Sequence, residues 1–138
     1  MEFHVSIFFI IEVIGTIAFA SSGAMVAIKQ QLDLLGVVVL GVTTAVGGGM
    51  MRDIILGNVP PSLFMNPVYV LTAFITVLVL FIVVRLNQKI LESRYIAAYE
   101  KMMNIFDAIG LAAFTVTGID TAVLAGYEDY HFLSVFLG

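Results

Sequence analysis

Polar and apolar positions divide the chain into four long apolar runs, with the charges gathered mainly at their ends. The first extends from Val5 to Ile28 and is interrupted by one charge, Glu12. The second runs from about Leu34 to Met51, ends in Gly47, Gly48 and Gly49, and is followed by Arg52, Asp53 and a short apolar stretch, Ile54 to Leu56. The Pro60-Pro61 pair is expected to close it, since a proline ring removes a donor and restricts the residue before it. The third, Pro67 to Val84, opens on a residue favoured at helix starts. The fourth, Ile105 to Ala125, contains Asp107 and Asp120. At about 1.5 Å per residue, runs of about 20 residues reach across a bilayer core. The pattern predicts an all-α membrane protein, a multi-span helical bundle.

Composition agrees with that pattern. The chain has 138 residues, 61% hydrophobic and 12% charged, with a mean hydropathy of +1.09. A soluble domain carries about twice that share of charge. Four passes consume about 80 residues and leave only short connections. A net charge of −4 argues against a nucleic-acid partner, which needs clustered Lys and Arg. The absence of cysteine excludes disulfides and thiolate metal sites. No G-x-S-x-G, H-E-x-x-H or P-loop pattern occurs, so neither an enzyme nor a cofactor or resident metal is expected. The start, Met-Glu-Phe-His, lacks the basic residues of a signal peptide, so the first run reads as a retained membrane helix.

Orientation follows from the positive residues. Four of the six Lys and Arg lie in the polar stretch Arg85 to Asn104, and Lys29 follows the first run. The positive-inside rule makes both connections cytoplasmic and the N-terminus external. Residues 127–131 carry no Lys or Arg and fall outside as well.

A shift of 95 residues aligns Glu12, Gly15, Ala18, Phe19, Gly23 and Ala27 with Asp107, Gly110, Ala113, Phe114, Gly118 and Ala122. Gly- and Ala-rich apolar sequences align readily, but here glycine, phenylalanine and glycine recur at a constant four-residue spacing. Three helices separate the copies, so the second enters the membrane from the opposite face, as in inverted-topology repeats. The expected organisation is a first three-helix repeat over 1–84, a cytoplasmic linker over 85–104, and the start of a second, inverted repeat over 105–138. The counterpart of Gly47 to Gly49 would lie about seven residues past Gly138, so the repeat predicts a fragment or a truncated gene product.

Within these runs, few residues can carry chemistry. Gly47, Gly48 and Gly49 are each about 1 kcal/mol less favourable than Ala in a helix. They read either as a hinge or break that turns carbonyls toward a cation, or as a close-packing surface. Arg52 and its neighbour Asp53 read as a gate or charge barrier, or as a snorkelling pair at the interface. Glu12 and Asp107 head equivalent stripes and face either a pore mouth or the interface. Asp120 sits deeper and is the better cation attractor. Ser21, Ser22, Thr43, Thr44 and Thr117 offer hydroxyl oxygens to a cation, or bond back to their own helices.

The run Gly15 to Ala24, then Asp33-x-x-Gly36, then Gly41-x-Thr43-Thr44-Ala45-x-Gly47-Gly48-Gly49-x-x-Arg52-Asp53-x-x-Leu56-Gly57-x-x-Pro60-Pro61 resembles the bacterial branch of the trimeric intracellular cation channel family. The resemblance implies a seven-helix subunit of two inverted three-helix repeats plus a last helix. It also implies a homotrimer in the bacterial inner membrane with a pore in each subunit. It further implies potassium-permeable monovalent cation conduction and a helix kinked at Gly47 to Gly49. The second glycine motif and the last two helices of that design have no counterpart in these 138 residues. Because bacterial members have also been proposed to carry small solutes, a secondary transporter for a small amino acid such as glycine is the alternative. A scaffold whose glycines only pack is a third reading.

Overall fold

The computed structural model describes residues 2–87, 93–126 and the isolated positions 132, 135 and 136. Five helices account for nearly all of them: α1 (Glu2–Lys29), α2 (Leu34–Ile55), α3 (Ser62–Met65), α4 (Val68–Leu86) and α5 (Ser93–Leu124). Four are long and apolar enough to cross a membrane, over Ser6–Lys29, Leu34–Ile55, Val68–Leu86 and Glu100–Leu124. There is no strand among the described residues. Residues 127–131, the expected external turn, lie outside the described residues, as do 88–92 of the polar stretch and most of 131–138.

α1 is the central helix, packed against α2, α4 and α5, whereas α5 packs chiefly on α1. Lipid tails are as apolar as leucine, so helices in a membrane associate through close packing of small residues rather than by escaping water. The contact line follows that rule. Ala20, Ala24 and Ala27 of α1 meet Val37 and Ala45 of α2 and Ala73 and Val77 of α4 in one buried cluster. Gly23 and Gly41 bring α1 and α2 together: a Cβ on Gly23 would stand 3.1 Å from the Gly41 Cα and 2.7 Å from the Thr44 hydroxyl.

On its other side, α1 meets α5 through a reciprocal pair of contacts. Phe114 lies over Gly15, where a Cβ would come within 3.2 Å of its ring, and Phe19 lies over Gly110, where the distance would be 2.9 Å. The two rings stack with centroids 5.4 Å apart and an interplanar angle of 23°. Each of these residues is the other's counterpart under the 95-residue shift.

Helix ends differ from expectation in two places. α2 is not closed by the prolines but by a Schellman turn that precedes them. Gly57, at φ +76°, donates to the Ile54 carbonyl at 3.1 Å, and Asn58 donates to the Asp53 carbonyl at 2.8 Å. Pro61 instead caps the start of α3. α5 begins at Ser93, not Ile105, so the second half of the polar stretch is helical. Once the apolar part has nucleated a helix, extending it into water adds one hydrogen bond per residue at little cost. Near that end Glu100 pairs with Lys29 at 3.4 Å, which brings the connection after α1 beside the start of α5.

α2 begins at Asp33, whose carboxylate accepts from the Gly36 amide at 2.9 Å. Asp33→Ala is expected to cost about 1 kcal/mol, read as a lower unfolding midpoint in detergent. An unchanged midpoint would show that the cap contributes nothing.

Candidate functional site

Toward its C-terminal end α2 presents Arg52 and Asp53 to the interior. The Asp53 side chain is 2% exposed and the Arg52 side chain 10%. Charges at that depth need partners, because desolvation costs several kcal/mol for each ion. Asp53 has two. Its Oδ1 accepts from Arg52 Nε at 3.2 Å, and its Oδ2 accepts from the Ser62 amide at 2.8 Å. Asp53 therefore fastens the end of α2 to α3.

Arg52 also reaches across to α1 and α5. Nη1 and Nη2 donate to Glu12 Oε1 at 3.5 and 3.4 Å, and Nη1 donates to Thr117 Oγ1 at 3.5 Å. Tyr69 of α4 donates its hydroxyl to Glu12 Oε2 at 2.6 Å. Four membrane helices thus contribute to one polar cluster. It borders a cavity of about 40 Å³ whose walls include Glu12, Thr16, Gly49 and Phe114. A second cavity, of about 260 Å³, lies along α2 toward its middle, against Thr44, Gly48, Gly49, Phe19 and Phe114. Arg52 borders both.

The glycine triplet behaves unlike either expectation. α2 is helical without interruption from Leu34 to Ile55, so Gly47, Gly48 and Gly49 do not break it. An unpaired backbone group in hydrocarbon costs several kcal/mol, more than the about 1 kcal/mol per glycine needed to keep the helix. Nor do they pack closely, since a Cβ on any of the three would meet no other atom within 4 Å. Their missing side chains leave open space, and Gly48 and Gly49 border it.

The remaining expected residues divide. Glu12, Arg52, Asp53 and Thr117 converge on the cluster, and Thr44 borders the larger cavity. Asp107 and Asp120, both half-buried on α5, have no hydrogen-bond or ion-pair partner among the described residues and line neither cavity. Thr43 faces an apolar groove between α2 and α4. The Ser21, Thr44 and Thr117 hydroxyls donate to carbonyls one turn earlier, at 2.8, 2.7 and 3.2 Å. Ser21 and Ser22 are buried and border neither cavity.

Comparison with known proteins agrees with this architecture. A family model described as a glycine transporter matches residues 9–85. A solved TRIC cation channel superimposes with a TM-score of 0.75 at 37% identity, covering 93% of this chain and 58% of that one. The TRIC trimeric intracellular cation channel orthologue from Rhodobacter sphaeroides superimposes with a TM-score of 0.78 at 30% identity, covering 96% and 62%. The chain belongs to the trimeric intracellular cation channel family.

Its curated relatives include the UPF0126 membrane protein YvgT of Bacillus subtilis, 38% identical over 118 residues, covering 86% of this chain and 54% of that protein. The inner membrane protein YadS of Escherichia coli is 36% identical over 112 residues, covering 81% and 50%. The chain spans about half the length of these relatives. In this TRIC family member the residue that sequence reasoning missed is Tyr69. A tyrosine two positions into an apolar run reads as part of an interfacial aromatic belt, and only the packing of α4 on α1 turns its hydroxyl to Glu12.

Proposed function

We propose that this chain forms part of a potassium-permeable monovalent cation channel of the bacterial inner membrane, with its polar path between α1, α2 and α5. The observation that carries the reading is the open space beside Thr44, Gly48 and Gly49, which ends at the Arg52–Glu12 pair. Glycine in an unbroken helix widens a path without freeing backbone groups that hydrocarbon would leave unpaired. Carboxylates and hydroxyl lone pairs at its end suit a cation. The path is proposed to run between two inverted repeats, the first over 1–84 and the second starting at 105. The reciprocal Gly15–Phe114 and Gly110–Phe19 contacts support this, because a twofold relation pairs residue i with j and j with i. Assembly as a homotrimer in the lipid bilayer, with the N-terminus outside, belongs to the same proposal.

The alternative of a small amino-acid carrier draws on the description of the matching family model. A carrier of this kind would bind the substrate carboxylate at the N-terminus of a broken α2. Here α2 is continuous, and the Arg52 charge is already shared between Glu12 and Asp53. This favours the channel.

The test is potassium flux from liposomes containing the purified chain, with labelled glycine uptake measured in parallel. Potassium flux is expected in the absence of saturable glycine uptake; the reverse would overturn the reading. Gly48→Ala is expected to leave stability unchanged or raise it by up to about 1 kcal/mol. Gly48→Leu, which projects into the larger cavity, is expected to abolish the flux. A scaffold whose glycines only pack would instead lose stability with Gly48→Ala, and its flux would not respond to either variant.

A further inference from the structure

The Arg52 guanidinium is surrounded by oxygen acceptors yet clamped by none. Its contacts with Glu12, Thr117 and Asp53 measure between 3.2 and 3.5 Å. Charge-assisted pairs normally close to about 2.7–2.9 Å. The cluster also holds two carboxylates against one guanidinium, leaving a formal charge of −1 beside a cavity large enough for a water-sized guest. The two carboxylates are held differently. Asp53 is fixed to the Ser62 amide, whereas the Glu12 oxygen facing Arg52 has no donor other than Arg52 among the described residues. Thr117, 2% exposed, gives its own proton to the Ala113 carbonyl at 3.2 Å and so turns lone pairs toward Arg52.

We propose that Glu12 Oε1 and Thr117 Oγ1 form a monovalent-cation site that the Arg52 guanidinium fills as a tethered occupant, and that a permeating cation must displace it. Tyr69 holds the other Glu12 oxygen and keeps the carboxylate in place while the occupant changes. Because Arg52 borders both cavities, its departure joins them, so the same movement vacates the site and opens the path. Displacement during permeation rests on the conduction reading; occupancy of the site does not.

Chemical rescue tests the two parts separately. The purified Arg52→Ala protein is heated in detergent with guanidinium chloride or sodium chloride, each at about 10 mM, and is expected to gain about 4 °C in Tm from guanidinium alone. Wild type, whose site is filled, is expected to gain nothing, and Glu12→Gln combined with Arg52→Ala is expected to lose the gain. Equal responses from all three proteins, or none from Arg52→Ala, would overturn the site. Where Arg52→Ala does not fold, Arg52→Gln is measured in the same way. In liposomes, Arg52→Ala is expected to raise potassium flux severalfold, and guanidinium to return it toward wild type. A Tm response without flux in any variant leaves the site standing and removes the conduction reading. Wild-type flux that Arg52→Ala does not raise removes the tethered occupant.

Discussion

Asp53→Ala is expected to destabilise the protein by about 3–5 kcal/mol, the cost of removing one partner from a buried ion pair. Asp53 is 2% exposed, and each of its oxygens has a donor: Arg52 Nε at 3.2 Å and the Ser62 amide at 2.8 Å. Truncation leaves the guanidinium with Glu12 and Thr117 at the outer limit of hydrogen bonding, and strands an amide at the start of α3. Asp53→Asn is expected to cost less, because its carbonyl oxygen can still accept from Ser62. Unfolding in detergent, followed by circular dichroism, measures both. A loss below about 1 kcal/mol for Asp53→Ala would show that water reaches Arg52 and that the pair is not buried.

The second large effect is steric. A Cβ on Gly41 would lie 2.5 Å from Val77 Cγ2 and 3.3 Å from the Ala20 carbonyl and the Ala24 amide of α1. Val77 is fully buried, and a β-branched side chain in a helix has one strongly preferred rotamer, so it cannot swing aside. Gly41→Ala therefore requires α2 to move away from α4 and α1. The expected net loss is about 2 kcal/mol, after the helix-propensity gain of about 1 kcal/mol is counted. Val77→Ala should rescue it, so the double variant is expected to be more stable than the two single losses added together. Additive losses would place the clash elsewhere.

Gly41 and Gly48 share helix α2 and composition says nothing to tell them apart, yet one supports a helix crossing and the other borders a void. Seven residues apart, the two face nearly the same way, so which does which depends on what stands opposite each. The spacing of Gly41 and Ala45 at four residues marks a packing face, and Gly49 continues it one turn further on. Beyond Ala45 the neighbouring helices stand away from that face, a consequence of how they cross rather than of local sequence.

Much of the chain was nonetheless legible. The four spans, the start of α2 at about Leu34 and the stripe shared by α1 and α5 all follow from residue order. Gly47 to Gly49 do not break α2, because an unpaired backbone group in hydrocarbon costs more than the weak helix propensity of glycine. α5 starts twelve residues before the apolar run that opens at Ile105, because charge marks where a helix leaves the bilayer, not where it ends.

By itself, the sequence determined that this is a helical membrane protein with spans at defined positions, because bilayer thickness sets a length requirement that each apolar run meets independently. Tertiary structure alone decided that Glu12, Arg52, Tyr69 and Thr117 meet. Their pairings join residues 40, 57 and 65 positions apart, on helices that are apolar nearly all round. In a soluble protein the polar face of a helix announces which side turns inward. In lipid every side is apolar, so the inward side is set by where small residues let backbones approach, and that becomes visible only when the helices are packed.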